Sequence, residues 1–389
     1  MSEAISYGGK TYYFILQNGS MGRSVQVQVL CPISVERVEV DDADTAMMLA
    51  DASFAVGRLD GYLRGMGRSG PYLRHLWTCD ALSWLRSEGG ELTFEEYHMP
   101  DGELTARKRS RRDDTRRYVE TMNEALGIMS SGGNGKLSVR ALRAVHKQLM
   151  GSSEGINRIP GMFRVEHTAV GGATLQDADY VPPHPDEIQQ LMSNFDEFIQ
   201  SDKKALNPLV RVAMAHLQFL NIHPFADYNG RIVRLMTALM LCSEGMIPAP
   251  AVFVGRYIEN HRRIYFDRMD TARSSGDMAP WVRFMAVGMK EGAEEAFDKV
   301  TAAETLVCGL QDKMSGDKRR ADNSAALLRL LCERVAVCSR DVMEALDITM
   351  PTVNSLIESF VEAGILEETT GQKKNRVYLF RRLCDVFGG

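Results

Sequence analysis

The chain has 389 residues, 44% hydrophobic and 25% charged, and a net charge of −5, which allows two or three globular domains and gives no overall positive field to attract nucleic acid or an anionic membrane. Its seven cysteines, at 31, 79, 242, 308, 332, 338 and 384, are odd in number and lack zinc-ligand spacing, so reduced thiols are the simplest reading. It has neither a basic N-terminus leading into an apolar core nor an apolar run of membrane-spanning length, and a cytoplasmic location is expected.

The first segment, residues 1–44, reads as a β extension. An aromatic and aliphatic run at Tyr12–Leu16 precedes a turn signal at Asn18-Gly19, and Val25, Val27 and Val29 then alternate with polar residues. A helical region follows over 45–130. Leu49, Ala52, Val56, Leu59 and Leu63 share one helix face, and a second helix over 75–87 is stopped by Glu88-Gly89-Gly90. The basic run from Arg107 to Arg117 reads as a solvated linker opening into a helix at 113–129, with nucleic-acid binding as the lesser alternative.

The core segment is 131–308. Helices are predicted over 137–150 and 186–199, separated by a turn-rich, β-branched stretch over 160–185 that reads as an irregular hairpin. Asn207-Pro208 is a helix start. The helix it opens carries Leu209, Val212, Ala213, Leu217 and Leu220 and has little polar face; Ile232, Leu235, Met236 and Leu239 describe another such helix, so both are expected to be buried on most sides. Further helices are predicted over 260–273 and 279–308. Residues 309–323 are polar and read as a linker. Residues 324–389 carry the parts of a winged helix-turn-helix: helices over 340–346 and 351–363, then strand, glycine-bearing turn and strand over 364–380.

The chemistry concentrates between the two buried helices, in His223-Pro-Phe-Ala-Asp-Tyr-Asn-Gly-Arg-Ile-Val-Arg234. Asn229-Gly230-Arg231 opens the second helix, whose first N–H groups lack helical partners and carry partial positive charge, a ready anion site. Gly230 permits close backbone approach. Arg231 and Arg234 are three residues apart and project from one face, as paired phosphate forks do. Asp227 is a hard oxygen ligand suited to Mg²⁺ on phosphates. His223 is the group there that titrates nearest neutrality and is the candidate base for an incoming hydroxyl.

These twelve residues resemble the signature of Fic-domain proteins, H-P-F-x-[DE]-G-N-G-R-x-x-R. The resemblance extends to Pro160–Arg164, Tyr180–Pro183, the segment Arg256-Tyr257 through Tyr265, and Ala279–Phe284. It implies a mainly α protein with a helical core that transfers AMP from ATP, with Mg²⁺, to a Ser, Thr or Tyr hydroxyl of a protein or of the chain itself. By position it implies His223 as base and Asp227 as metal ligand, with Asn229, Gly230, Arg231 and Arg234 on the phosphates. It also implies a hairpin flap carrying Phe163, Arg164 and Val170 that pairs with the target by strand addition, and it puts Tyr257 and Tyr265 near the base, where core packing is an equal alternative.

One position departs: Tyr228 stands where the family has a small residue, in the anion-binding turn. It either obstructs the site or swings clear of an intact backbone nest. Members of similar architecture carry an inhibitory helix with the pattern [ST]-x-x-x-E-[GN]. Glu88-Gly89 match it, with Trp84 at the Ser/Thr position, and a Glu88 carboxylate reaching Arg234 would remove a phosphate ligand. The rival readings are a catalytically impaired Fic-like regulator working through the winged helix, and removal of AMP or transfer of another phosphodiester. For the winged helix, protein docking or homodimerisation is favoured over DNA. From Asp322 to Asp385 there are ten acidic and eight basic residues, and its second helix has no Lys or Arg, where sequence readers place basic or amide groups.

Overall fold

A computed structural model describes residues 42–66, 70–132, 135–151, 159–172, 178–201, 206–314 and 318–388. The β extension expected before residue 42 lies outside them. The chain is mainly α, as the sequence predicts, and forms two compact units. One comprises the chain up to Asp60 with Glu120–Ala293; the other comprises Gly61–Val119 with Glu294–Gly389.

The first unit is organised around α7 (Pro208–Ile222) and α8 (Asn229–Ser243). Asn207 caps α7 by accepting from the Leu209 N–H at 2.9 Å, with Pro208 at the first helical position. Nearly every side chain of α7 is buried, including Arg211, His216 and Gln218. Such a helix needs its polar groups answered internally. Arg211 donates to Glu244 and to the backbone of Phe198 and Ser201. Packed with this pair are α5 (Val139–Met150) and α6 (Pro185–Gln200). The unit also contains most of α1 (Ala43–Met66), α9 (Gly255–Asn260), α10 (Arg262–Ser275) and the start of α11 (Ala279–Met314). Trp281 of α11 is fully buried and donates its indole N–H to the Ala213 carbonyl at 2.8 Å. α5 shows the clearest amphipathy: Ala141, Leu142, Val145, His146, Leu149 and Met150 face inward.

The second unit holds α2 (Pro71–Ser87), α3 (Phe94–His98) and the first part of α4 (Ala106–Ser131). With them are α12 (Lys318–Arg334), β1 (Ala336–Cys338), α13 (Ser339–Leu346), α14 (Met350–Glu362), β2 (Glu367–Glu368), β3 (Val377–Leu379) and α15 (Arg381–Gly388). The strands form one antiparallel sheet in the order β1-β3-β2. The 61–119 stretch folds with the C-terminal residues through Arg381 on Glu95 and Glu367, and His75 on the Cys332 carbonyl.

Two stretches read as linkers are helical. α4 begins at Ala106, so the basic run lies on a helix. Arg112, 2% exposed, donates to the Met99 carbonyl and Asp101, and Arg109 donates to the carbonyls of Asp101 and Leu104. These cations fasten the segment 99–104, a job that charge density in the sequence cannot distinguish from solvation. Likewise α11 runs to Met314 and α12 starts at Lys318, since the polar residues of 309–323 are mostly compatible with helix.

Candidate active site

The site is built where α7 stops. The last carbonyls of a helix have no partner within it, and here most of them find one. His223 takes a left-handed conformation (φ 48, ψ 60) and its N–H bonds the Phe219 carbonyl at 2.9 Å. The Tyr180 hydroxyl donates to the Asn221 carbonyl at 2.6 Å. Arg164 reaches the carbonyls of Ile222 and His223 at 3.5 and 2.9 Å, and those of Glu166 and Pro183 as well. A neutral imidazole carries one N–H and one free lone pair. Burial, assisted by the Arg164 guanidinium, pushes the His223 pKa down to about 4, so the imidazole is neutral and able to accept a proton at neutral pH.

Arg164 is the residue on which this arrangement rests. It is 4% exposed, and burial lowers its pKa only to about 10, so it stays charged. Arg164→Ala leaves several buried carbonyls unpaired at about 1–3 kcal/mol each. The expected outcome is a loss of about 3 kcal/mol or more, read as a lower urea midpoint, and Arg164→Lys recovers only part of it because an ammonium lacks the planar fork.

The loop from His223 then turns into α8. The Asn229 side chain bridges it, accepting from the Phe225 N–H at 3.1 Å and donating to the Phe225 carbonyl at 2.8 Å. Phe225 is fully buried, as a loop anchor should be. Asp227 is exposed and accepts from the Tyr228 N–H at 2.8 Å. Gly230 is exposed, and a Cβ there would have no atom within 4 Å. The head of α8 is thus open to an anion.

Tyr228 caps α8 in the left-handed region, φ 65 and ψ 5. This explains why a small residue suits the position: a side chain there costs about 1–2 kcal/mol more than glycine. The ring lies under the Arg231 guanidinium, 4.2 Å from its centroid, a cation–π contact of about 0.5–1 kcal/mol. His146 meets the same ring edge-on at 6.3 Å and stacks on Phe225 at 4.0 Å. Its Nδ1 accepts from the Gly161 N–H at 2.8 Å. Gly161 has φ +78, and a Cβ on it would stand 3.0 Å from the Arg143 carbonyl.

The structure brings His223, Asp227, Tyr228, Asn229, Gly230, Arg231 and Arg234 together on one loop and helix head. Of the flap residues, Val170 forms an antiparallel bridge with Tyr180, Phe163 packs on Phe225 at 5.6 Å, and the Arg164 side chain serves the α7 terminus. Tyr257 is half-buried and packs on Phe284 and His261, with its ring against Gly288, where a Cβ would come within 2.8 Å. Tyr265 is buried and donates to His216 Nε2 at 2.8 Å, while His216 Nδ1 bonds Thr237 at 2.8 Å and Thr237 donates to the Val233 carbonyl. That directed chain requires a neutral His216, which burial secures by lowering its pKa to about 3, helped by the Arg234 charge. Glu88 and Gly89 lie in the second unit, at the end of α2. Gly89 has φ 75 and stops the helix; Glu88 is exposed and accepts from the Trp84 indole N–H at 2.7 Å. Arg164, His146 and His216 as supports were not legible in the sequence, because each acts across a long separation.

Residues 136–241 match the model of the Fic/DOC family, so this segment is a Fic domain. The chain is similar to the protein adenylyltransferase Fic of Aedes aegypti, 30% identical over 178 residues that make up 43% of this chain and 32% of the relative. It is similar to the protein of the same name in Nematostella vectensis, 29% identical over 205 residues, 49% of this chain and 45% of the relative. The chain therefore spans less than half the length of these relatives. A crystal structure of a Fic family protein from Desulfovibrio desulfuricans G20 shares the fold, with a TM-score of 0.53 and 22% identity over 88% of this chain and 97% of that one.

Proposed function

We propose that the protein is an adenylyltransferase that moves AMP from ATP to a Ser, Thr or Tyr hydroxyl of a protein, itself included. The observation that carries this is the placing of His223, at the end of α7, on the loop that opens the exposed head of α8, with its imidazole kept neutral by burial. In the step, the free nitrogen takes the hydroxyl proton as the oxygen bonds the α-phosphorus and pyrophosphate leaves. Asn229, Gly230, Arg231 and Arg234 hold the phosphates. An exposed carboxylate beside a phosphate site fits Mg²⁺, which commonly binds through one or two carboxylates plus phosphate oxygens; Asp227 would hold it, and the ion would neutralise phosphate charge. The test is intact mass of the full chain, and of proteins added from a lysate, after incubation with ATP and Mg²⁺. An adenylate adduct is expected; unmodified masses throughout would sink the reading.

The same proposal includes a brake at Glu88. Its support within the second unit is that the Trp84 indole holds the Glu88 carboxylate at the exposed end of α2. Glu88→Gly is expected to raise self-labelling by α-labelled ATP several-fold; equal labelling of both forms removes the brake from the account.

For the C-terminal module, a winged helix-turn-helix used for docking or dimerisation is the proposal. α14 has no Lys or Arg and exposes Met350 and Val361. Random duplex DNA at low salt is expected to run unretarded in a gel shift, since phosphate contacts need cations. No helix among the described residues is long and apolar enough to cross a membrane, and a cytoplasmic location belongs to this proposal.

A further inference from the structure

The outer face of α5 carries Arg140, Arg143 and Lys147 at helical spacing, opposite the face it buries. With α6 and the residues that lead into the flap, this face encloses a groove of about 430 Å³. Among the described residues the groove is lined by three cations and a single carboxylate, Asp196, which already accepts from the Val139 N–H at 2.6 Å. Arg143 is fixed: its Nε donates to the Gly161 carbonyl at 2.7 Å and its guanidinium lies 5.3 Å over the Phe163 ring. Arg140 and Lys147 flank it, both exposed, and among the described residues neither meets a carboxylate. Met162 of the lining exposes 49% of its surface, and Ile159 and Val165, on either side of the lining stretch 160–163 in sequence, expose 62% and 71%, so three large apolar side chains of one short segment face solvent.

The lining of the groove reaches the catalytic loop through Phe163, which packs on Phe225 at 5.6 Å. It ends at Phe163, and the next residue bonds the loop directly, the Arg164 N–H donating to the Pro224 carbonyl at 2.9 Å. The flap residues follow directly from the stretch 160–163 that lines the groove beside Arg140 and Lys147.

We infer that this groove docks the protein substrate through an acidic segment, with apolar residues interleaved, beside the modified hydroxyl. The inference rests on the adenylyltransferase reading and adds to it the charge of the substrate. Opposite charge steers encounter and fixes register, and the exposed apolar rim supplies contact area. Arg140 and Lys147, which meet no carboxylate among the described residues, are suited to accept carboxylates from a partner.

The test uses the full chain, without nucleotide, and fluorescently labelled synthetic peptides with a central tyrosine flanked by alternating Glu and Val. Matched peptides carry Gln or Lys in place of Glu. By anisotropy at low salt, the Glu peptide is expected to bind roughly tenfold tighter than the Gln peptide, and added salt shrinks the gap. In the double variant Arg140→Glu/Lys147→Glu, with circular dichroism unchanged, the order of Glu and Lys peptides reverses. Equal affinity for the Glu and Gln peptides overturns the inference, as does indifference to the charge reversal. A polythymidine oligonucleotide that displaces the Glu peptide at lower concentration also overturns it. Because binding is read without ATP, these results are independent of whether an adenylate adduct forms on the chain.

Discussion

His223→Ala is expected to lower AMP transfer about a thousandfold, within the range of 10²–10⁴ that a positioned general base contributes. The phosphate ligands of α8 are untouched, so ATP affinity by calorimetry should hold while the labelling rate collapses. A variant that labels at the native rate would show that the proton leaves by another route. The pH profile carries a second signature. Burial pushes the His223 pKa down to about 4, so the base stays in its accepting form well below the ordinary histidine range. The acid limb of the rate is expected near pH 4, not near 6.5. Stability moves in a related way. The folded protein keeps this imidazole neutral, so as pH falls below about 6.5 the unfolded chain takes up the proton first. Stability is therefore full above that pH and declines as pH drops towards 4. His146 and His216, lowered to about 4 and about 3 by burial, add to the same decline, so rates at low pH need to be referred to the folded fraction by circular dichroism.

Tyr228→Gly is expected to raise transfer roughly tenfold or more while leaving stability almost unchanged. The stability terms nearly cancel. Relief of the left-handed backbone stabilises by about 1–2 kcal/mol. Lost stacking on Arg231 costs about 0.5–1 kcal/mol, and the added freedom of glycine in the unfolded chain costs about 0.4–1 kcal/mol. The functional term has no such offset. The native ring stacks on the Arg231 guanidinium at 4.2 Å; removing it opens that face of the guanidinium to phosphate, and one charge-assisted hydrogen bond is worth about 1.5–3 kcal/mol. Steady-state labelling at several ATP concentrations checks it, with the gain falling in the Michaelis constant if Arg231 grips the ground state and in turnover if it grips the transition state. A variant slower than the native protein would instead make the phenol part of the donor site and reject the view of Tyr228 as an obstruction.

The sequence by itself determined the helical frame and the chemistry. Asn207-Pro208 marks the start of α7, the apolar positions of α7 and α8 announce their burial, and the His223–Arg234 stretch puts base, carboxylate and guanidiniums in one loop. All of these depend on local rules, capping and helical periodicity, that operate within a few residues. The positive φ at Tyr228 explains why the departing residue there matters, yet only the structure reveals that its ring is occupied by Arg231. Tertiary structure decided what the isolated charges do. Arg109 and Arg112 looked like a solvated linker and instead close on the carbonyls of 99–104. Arg164 looked like a flap residue and instead gathers carbonyls from both sides of the catalytic loop. The reason is physical: a guanidinium is driven to whichever carbonyls burial has deprived of water, and which carbonyls those are is known only once distant helices have packed.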